Sequence, residues 1–130
     1  MNASTIRDID EAFATLAQMH ADALLVTTDS LFLVRAPQLV VLAARHVIPT
    51  LYPRREFAAA GGLISYGSNS DDSYRLLGVN AARILKGEKP GDLPVQLPTK
   101  FELVINLSTA RALGVDVPPM LLARADEVIE

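Results

Sequence analysis

The chain has 130 residues and a formal net charge of −3, contributed by 12 basic and 15 acidic side chains. Charges of both signs are interspersed, which predicts no basic surface for nucleic acid, and we expect no nucleic-acid partner. Half of the residues are hydrophobic and only 5% are aromatic, a composition that favours one α/β domain with an aliphatic core.

The sequence contains no cysteine, which excludes disulfides and thiol chemistry but leaves the cellular compartment open. No apolar run approaches the roughly 20 residues that a membrane-spanning helix needs. Residues 1–8 are polar and lack the apolar centre of a leader, so we expect no signal peptide in this chain.

The first elements alternate between helical and extended patterns. Apolar residues recur at helical spacing from Ile9 to Leu16, which predicts an amphipathic helix ending near His20. The continuous apolar run at residues 23–26 predicts a short strand covered on both faces. A polar turn at residues 27–30 follows this strand.

Residues 31–46 are helical in character, with Pro37 either in the first turn or dividing a short lead-in from the main helix. Residues 47–52 predict a second strand. Since strands and helices alternate along the chain, the order predicts right-handed crossovers and a parallel sheet.

The centre of the chain is organised around a glycine pair. Residues 55–60 form a short helical pattern that Gly61 and Gly62 end, because glycine adopts positive φ without a Cβ clash. Residues 63–66 predict a buried strand, and a polar loop leads to the clearest helix of the chain, at residues 71–86.

The last third begins with a linker rich in proline, glycine and charge at residues 87–94. Residues 101–106 predict a strand, after which Ser108 caps a short helix closed by Gly114. The proline pair at residues 118–119 predicts a final helix running to Ile129.

No catalytic or cofactor signature is present. The glycine pair follows a helix and precedes a strand, the reverse of a dinucleotide fingerprint, and no P-loop occurs. His20 and His46 are the only histidines, so metal clusters of the usual histidine or thiol spacing are excluded. No nucleophile is paired with a base, and we therefore expect neither an enzyme nor a cofactor.

Polar and aromatic residues at predicted strand ends are the candidate ligand contacts. Asp29 lies beyond the carboxyl end of a strand, where open α/β sheets place their ligands, although a helix-capping aspartate fits equally well. A phosphoacceptor role would need further acids and a lysine nearby. Tyr52 and Tyr66 either stack in the core or contact ligand, and Asp71 and Asp72 favour a helix terminus over a ligand role.

Several blocks of the sequence resemble the substrate-binding proteins of a widespread family of bacterial ABC transporters, which includes binding proteins for aromatic amino acids. The resemblance covers nearly the whole chain from about Asp8 onward. The matching blocks are DALLV at 22–26 with Asp29, REF at 55–57 through GGLISYG at 61–67, ILKGEKP at 84–90, DLPV at 92–95, PTKFELVINL at 98–107 and LLARAD at 121–126.

The resemblance implies a type 1 periplasmic binding protein, in which two α/β lobes enclose a ligand cleft. This sequence matches the second, Rossmann-like parallel-sheet lobe, and the first lobe and export signal have no counterpart in it. The implied organisation is a second-lobe unit at residues 1–86 with a hinge crossing near residues 66–67, a linker at 87–94, and completion of the lobe by residues 95–130.

The helix at residues 71–86 would then lack the sheet that it normally covers. An apolar face without a partner tends to become an interface, so we expect a homodimer, with exchange of elements as one form of it.

By the same resemblance, this chain is the ligand-binding part of an ABC importer that acts outside the cytoplasm, in the periplasm, together with a permease. It would bind a small polar ligand such as an amino acid without chemistry. The alternative is a free-standing ligand-sensing or oligomerisation domain of a regulatory protein. The residues that the resemblance assigns to the ligand cleft are Thr28, Asp29, Ser30, Tyr52, Arg54, Tyr66 and Asp72.

Overall fold

The computed structural model of the protein describes residues 3–97 and 99–130. Pro98, which begins one matching block, and the first two residues of the polar amino-terminal stretch lie outside these described residues. The helices that the structure shows are α1 (Ile6–Gln18), α2 (Ser30–Val34), α3 (Ala36–Arg45), α4 (Arg55–Ala59), α5 (Ser70–Leu85), α6 (Leu107–Leu113) and α7 (Pro119–Leu122). The strands are β1 (Leu24–Leu25), β2 (Thr50–Tyr52), β3 (Ile64–Ser68), β4 (Phe101–Asn106) and β5 (Glu127–Ile129).

The strands form one sheet in the order β1-β2-β3-β4-β5. The pairs β1/β2, β2/β3 and β4/β5 are parallel. The predicted α/β class with a parallel sheet is therefore confirmed. In register, Leu25 pairs with Leu51 and Leu51 with Ile64, so these three side chains share one face of the sheet.

The opposite face of the sheet carries the core. Tyr52 is 1% exposed, and its ring stacks on Phe57 of α4 with centroids 4.9 Å apart. Ile9 and Phe13 of α1 and Leu39 of α3 belong to the same buried cluster. The helical spacing that predicted α1 thus placed its apolar face correctly.

Helix α1 begins at Ile6, before the apolar repeat that starts at Ile9. Thr5 is the N-cap: its hydroxyl oxygen accepts from the Asp8 backbone N–H at 3.2 Å, while the Asp8 carboxylate accepts from the Thr5 N–H at 2.9 Å. Hydrogen bonds to the Asp8 carboxylate from the side chain of Thr5, then from the backbone and side chain of Ser4 and from the Thr5 N–H, lower the pKa of Asp8 to about 2.

The predicted helix at residues 31–46 is two helices in the structure. The chain leaves regular helical geometry at Arg35, between α2 and α3, and Pro37 occupies the first turn of α3. Proline is favoured there because the first-turn N–H groups have no partner within the helix.

Two predictions near the carboxyl terminus are wrong. Asn106 rather than Ser108 caps α6, since its side-chain oxygen accepts from the Thr109 N–H at 3.1 Å, whereas Gly114 closes the helix as predicted. Helix α7 stops at Leu122, and the last residues form β5 instead of helix. Asp126 accounts for this, because its carboxylate accepts from the Leu103 N–H at 2.8 Å and its own N–H donates to the Leu103 carbonyl.

The chain divides into two compact units. The first runs up to Gly67 and resumes at Glu102–Glu130, and it holds the buried core. The second unit is Ser68–Phe101, whose main element is α5. The division into residues 1–86, 87–94 and 95–130 stays a prediction.

Candidate functional site

The loop after β1 carries three of the predicted ligand contacts. Thr28, Asp29 and Ser30 are all exposed. Asp29 is the N-cap of α2, and its Oδ1 accepts from the Leu31 backbone N–H at 2.7 Å. The capping role left open by the sequence is thus present, and Oδ2 of the same carboxylate has no hydrogen-bond partner among the described residues. A carboxylate fixed through one oxygen can still present the other to a ligand.

Two predicted ligand contacts lie at the end of β2: Tyr52 is buried and Arg54 is half-buried. Tyr52 is packed in the core, so its side chain has almost no solvent-facing surface in this structure. Arg54 follows two residues later, where it is the N-cap residue of α4 without a capping side-chain bond. Its side chain is 26% exposed and lies 3.8 Å from the Glu56 carboxylate, which is a loose ion pair.

Strand β3 carries Tyr66, whose side chain is 55% exposed. The next residue, Gly67, lies against the end of β2: a Cβ at this position would be 1.9 Å from the Pro53 carbonyl oxygen. Only glycine allows this approach, because any other residue would overlap the backbone. The close contact fixes the ends of β2 and β3 beside each other.

Asp72 belongs to the second unit. It lies in the first turn of α5, where the Asn69 side chain caps the helix by accepting from the Asp72 backbone N–H at 2.9 Å. Its carboxylate is 11% exposed and contacts Arg75 at 3.0 Å and Lys100 at 3.5 Å. The hydrogen bond from Arg75, followed by the charge of Lys100, holds the pKa of Asp72 below its usual value.

Three neighbouring parallel strands therefore bring one set of candidates to a common edge of the sheet. The residues at this edge are those at positions 28–30 after β1, Arg54 after β2, and Tyr66, which follows the β3 residue paired with the end of β2 although β3 itself continues to Ser68. In open α/β sheets the carboxyl ends of the strands are where ligands bind. A carboxylate, hydroxyls, a guanidinium and an aromatic ring at one edge suit a small zwitterion.

Sequence reasoning missed a polar residue in the middle of this region. Ser65 pairs in register with Tyr52, and both are 1% exposed. Neither hydroxyl has a hydrogen-bond partner in the described part of the chain. The Thr50 hydroxyl favours a lower pKa of the Tyr52 phenol, but its O–H donates a hydrogen bond to the Ile48 carbonyl at 2.9 Å. Burial raises the pKa of Tyr52 to about 12.

The described residues contain no cluster of three or more histidine, cysteine, aspartate or glutamate side chains that could hold a metal ion. Over the same residues, no helix has the length and apolar character needed to cross a bilayer.

The family profile described as "ABC transporter substrate binding protein" matches residues 1–129. The chain belongs to this family. The members of this family are substrate-binding proteins rather than enzymes.

Two relatives carry ligands in their names. The chain is 28% identical over 110 residues to a tyrosine-binding protein of Clostridioides difficile. The aligned stretch covers 85% of this chain and 32% of that protein. An ABC domain of Streptococcus pneumoniae, solved in complex with L-Trp, is 28% identical with a TM-score of 0.79, covering 93% of this chain and 43% of that one.

Two further solved structures share the fold. A conserved domain protein from Vibrio cholerae O1 biovar El Tor has a TM-score of 0.89 at 26% identity, covering 98% of this chain and 43% of its own. A ligand-free, open substrate-binding protein with adhesive properties from Clostridium difficile has a TM-score of 0.66 at 23% identity. The match covers 100% of this chain and 43% of that protein. The chain thus spans less than half the length of these solved relatives and about a third of the curated one.

Proposed function

We propose that this chain binds a small zwitterion of the aromatic amino-acid type, without chemistry, as the solute-binding part of an ABC importer. The observation that carries the proposal is the placement of Asp29 after β1, Arg54 after β2 and Tyr66 in β3, three neighbouring strands of a parallel arrangement in a substrate-binding family. The relatives that bind tyrosine and L-Trp support an aromatic amino acid as the ligand class.

Each exposed candidate has a role that its chemistry allows. The free Oδ2 of Asp29, with the hydroxyls of Thr28 and Ser30, would receive the ligand ammonium group. The guanidinium of Arg54, whose side chain is 26% exposed, would receive the carboxylate. The Tyr66 ring would stack on an aromatic side chain.

Tyr52 and Asp72 enter the proposal differently. Because Tyr52 is buried against Phe57, we assign it to positioning the end of β2 rather than to direct contact with ligand. Asp72 lies on the second unit, and its paired carboxylate would accept a ligand only in exchange for Arg75 or Lys100.

In the transport reaction, the ligand would be enclosed by closure of two lobes, and a permease would read the closed state. The protein would then act outside the cytoplasm. The support is membership of a family of ABC transporter substrate-binding proteins.

The experiment is isothermal titration of the chain with L-Tyr, L-Trp and L-Phe, using L-Ala and L-Asp as controls for the side chain. Because the chain covers 43% of the pneumococcal L-Trp-bound protein, the same titration should be repeated on a chimera that carries this chain in place of the matching stretch. Aromatic amino acids should bind the chimera, and Asp29→Asn should weaken them about tenfold or more because the ammonium loses its charged acceptor. Equal affinity in Asp29→Asn and the unsubstituted chimera would overturn the assignment of the ammonium site.

We also propose that the chain forms a homodimer. No residue of α5 is buried, although Tyr74, Leu77 and Leu85 are 67%, 63% and 88% exposed. Exposed apolar side chains at this density favour association. The same observation favours the second candidate function, a ligand-sensing or oligomerisation domain, which a ligand-independent dimer with no affinity for amino acids would support.

A further inference from the structure

The first turn of α4 comes directly after β2, at the edge of the sheet where the candidate residues lie. Its N-cap residue, Arg54, makes no capping side-chain hydrogen bond. An arginine cannot act as such a cap, because its guanidinium carries donors and no acceptor for the first-turn N–H groups. With five residues, α4 is also too short to be stable through its own hydrogen bonds. Contacts from elsewhere in the fold must therefore hold this first turn.

The core fixes the chain on both sides of this turn but not the turn itself. Before it, Pro53 lies against Gly67, where no side chain would fit between them. After it, Phe57 is 0% exposed and stacks in the core. Between these two points Arg54 is half-buried and Arg55 is exposed, so burial does not fix their orientation.

A bidentate ion pair holds the turn instead. Nε and Nη2 of Arg55 donate to the two carboxylate oxygens of Glu127, each at 2.7 Å, and the side chains are 46% and 34% exposed. Two parallel hydrogen bonds are the strongest and most directional arrangement of arginine with a carboxylate. Glu127, by its hydrogen bonding first and its charge second, raises the pKa of Arg55. The pair thus has one defined geometry.

The carboxylate partner belongs to a strand that is itself anchored in the sheet. Glu127 of β5 pairs in register with Val104 of β4, which is 0% exposed. The preceding residue, Asp126, bonds Leu103 twice: its carboxylate accepts from the Leu103 N–H at 2.8 Å, and its N–H donates to the Leu103 carbonyl at 2.9 Å. The ion pair therefore ties the first turn of α4 to a fixed point of the sheet.

We propose that Arg55 and Glu127 are positioning residues, which hold the first turn of α4 so that the guanidinium of Arg54 is directed at the ligand carboxylate. This inference rests on the proposed function and deepens it, since it names the contact that orients the carboxylate-binding group. Without the ion pair, Arg54 keeps its charge but gains conformational freedom that ligand binding must remove. Affinity falls for that reason, although neither positioning residue needs to touch the ligand.

The test is isothermal titration of this chain, and of the chimera described above, with L-Trp and L-Tyr and with tryptamine and tyramine, the amines that lack the carboxylate. Arg55→Gln and Glu127→Gln should each weaken the amino acids about two- to fivefold, the effect of losing one surface ion pair that orders a binding group. The amines should bind unchanged. Glu88→Gln breaks the 2.7 Å pair with Arg83 in the second unit and is the matched control, which should leave every affinity unchanged.

The two variants also separate positioning from long-range electrostatics. Glu127→Gln removes a negative charge and Arg55→Gln a positive one, so a direct charge effect on the ligand carboxylate would strengthen binding in the first and weaken it in the second. Positioning predicts a loss in both. In an Arg54→Gln background, Glu127→Gln should have no further effect, because the group that it orients is absent. Effects of opposite sign, or losses that add, would overturn the inference.

The remaining outcomes distinguish this inference from the proposed function. If aromatic amino acids bind and the affinities of Arg55→Gln and Glu127→Gln equal those of the unsubstituted protein, the positioning role is wrong and the binding function stands. Equal weakening of amino acids and amines would also overturn the inference, since it would show a general disturbance of the site. If no aromatic amino acid binds either protein, the proposed function fails and the inference fails with it.

Discussion

The two units of this chain are built on opposite principles. In the first, short helices such as α4 hold fully buried residues, with Phe57 0% exposed. In the second, α5 is a long helix of 16 residues and buries none of them. Helix α5 therefore depends on capping and local ion pairs, whereas α4 depends on the core. A helical pattern in the sequence therefore does not distinguish a helix that packs into the core from one without a packing partner.

The largest expected difference is between core and surface truncation. Phe57→Ala removes a ring that stacks on Tyr52 and should lower the free energy of unfolding by about 3–5 kcal/mol. Leu85→Ala in α5 removes an 88% exposed side chain and should change it by less than about 0.5 kcal/mol. Urea denaturation followed by circular dichroism measures both. Similar losses for the two variants would show that the units are buried to the same degree in solution.

Two glycines extend the comparison to the backbone. Gly67→Ala places a methyl group 1.9 Å from the Pro53 carbonyl oxygen and should cost about 3 kcal/mol, because backbone must move. Gly78→Ala lies mid-helix in α5, where a Cβ meets nothing within 4 Å. It should stabilise α5 by about 0.5–1 kcal/mol, since alanine is the better helix former. In thermal melts, Gly67→Ala should lower the melting temperature and Gly78→Ala should raise it. An unchanged melting temperature in Gly67→Ala would contradict the close approach of β2 and β3.

The buried phenol of Tyr52 predicts alkaline sensitivity of the first unit. Burial raises its pKa from 10.0 to about 12, so the unfolded chain loses the proton before the folded one does. The buried phenol contributes its full share to the free energy of unfolding below pH 10.0. As the pH rises towards about 12, this free energy falls by about 2 kcal/mol. Tyr52→Phe should remove this component of the pH dependence. Denaturation curves of both chains across that range measure it, and identical slopes would refute the assignment.

The smallest effects should come from ion pairs. Arg55 binds Glu127 through two hydrogen bonds of 2.7 Å, joining α4 to β5 across 72 residues of sequence. Arg83 and Glu88 pair locally in the second unit at 2.7 Å. Glu127→Gln and Glu88→Gln should each cost less than about 1 kcal/mol, with the larger loss at Glu127 because its pair holds distant elements together. Urea denaturation at low and high salt checks this order.

Hydrophobic pattern predicted most elements of the fold. Helical spacing identified α1 and α5, and apolar runs identified β1 to β4, because burial on one or two faces leaves a periodic trace in the sequence. The pattern failed at β5, because the proline pair at residues 118–119 predicted one helix running to Ile129, whereas α7 ends at Leu122. A three-residue strand has too few positions to show alternation, and its pairing with β4 depends on Asp126 reaching Leu103.

The candidate site stays a prediction. Strand ends marked Asp29 and Tyr66, and the family resemblance added Arg54, because parallel topology carries strand ends to one edge. Burial of Tyr52 could not be read from its place at a strand end, since it depends on the ring packing against Phe57 and Gly62. The unpartnered hydroxyl of Ser65 left no signal, because a serine in a strand is common on either face.

The sequence alone determined the α/β class, the parallel strand order along the chain and the family, because these depend on periodicity and on blocks of residues. Only the tertiary structure decided which polar groups are available and which apolar groups lack a partner. Availability depends on contacts between residues far apart in sequence, such as Gly67 against Pro53 and Arg55 with Glu127. Such contacts form only when the strands assemble, and local pattern carries no record of them.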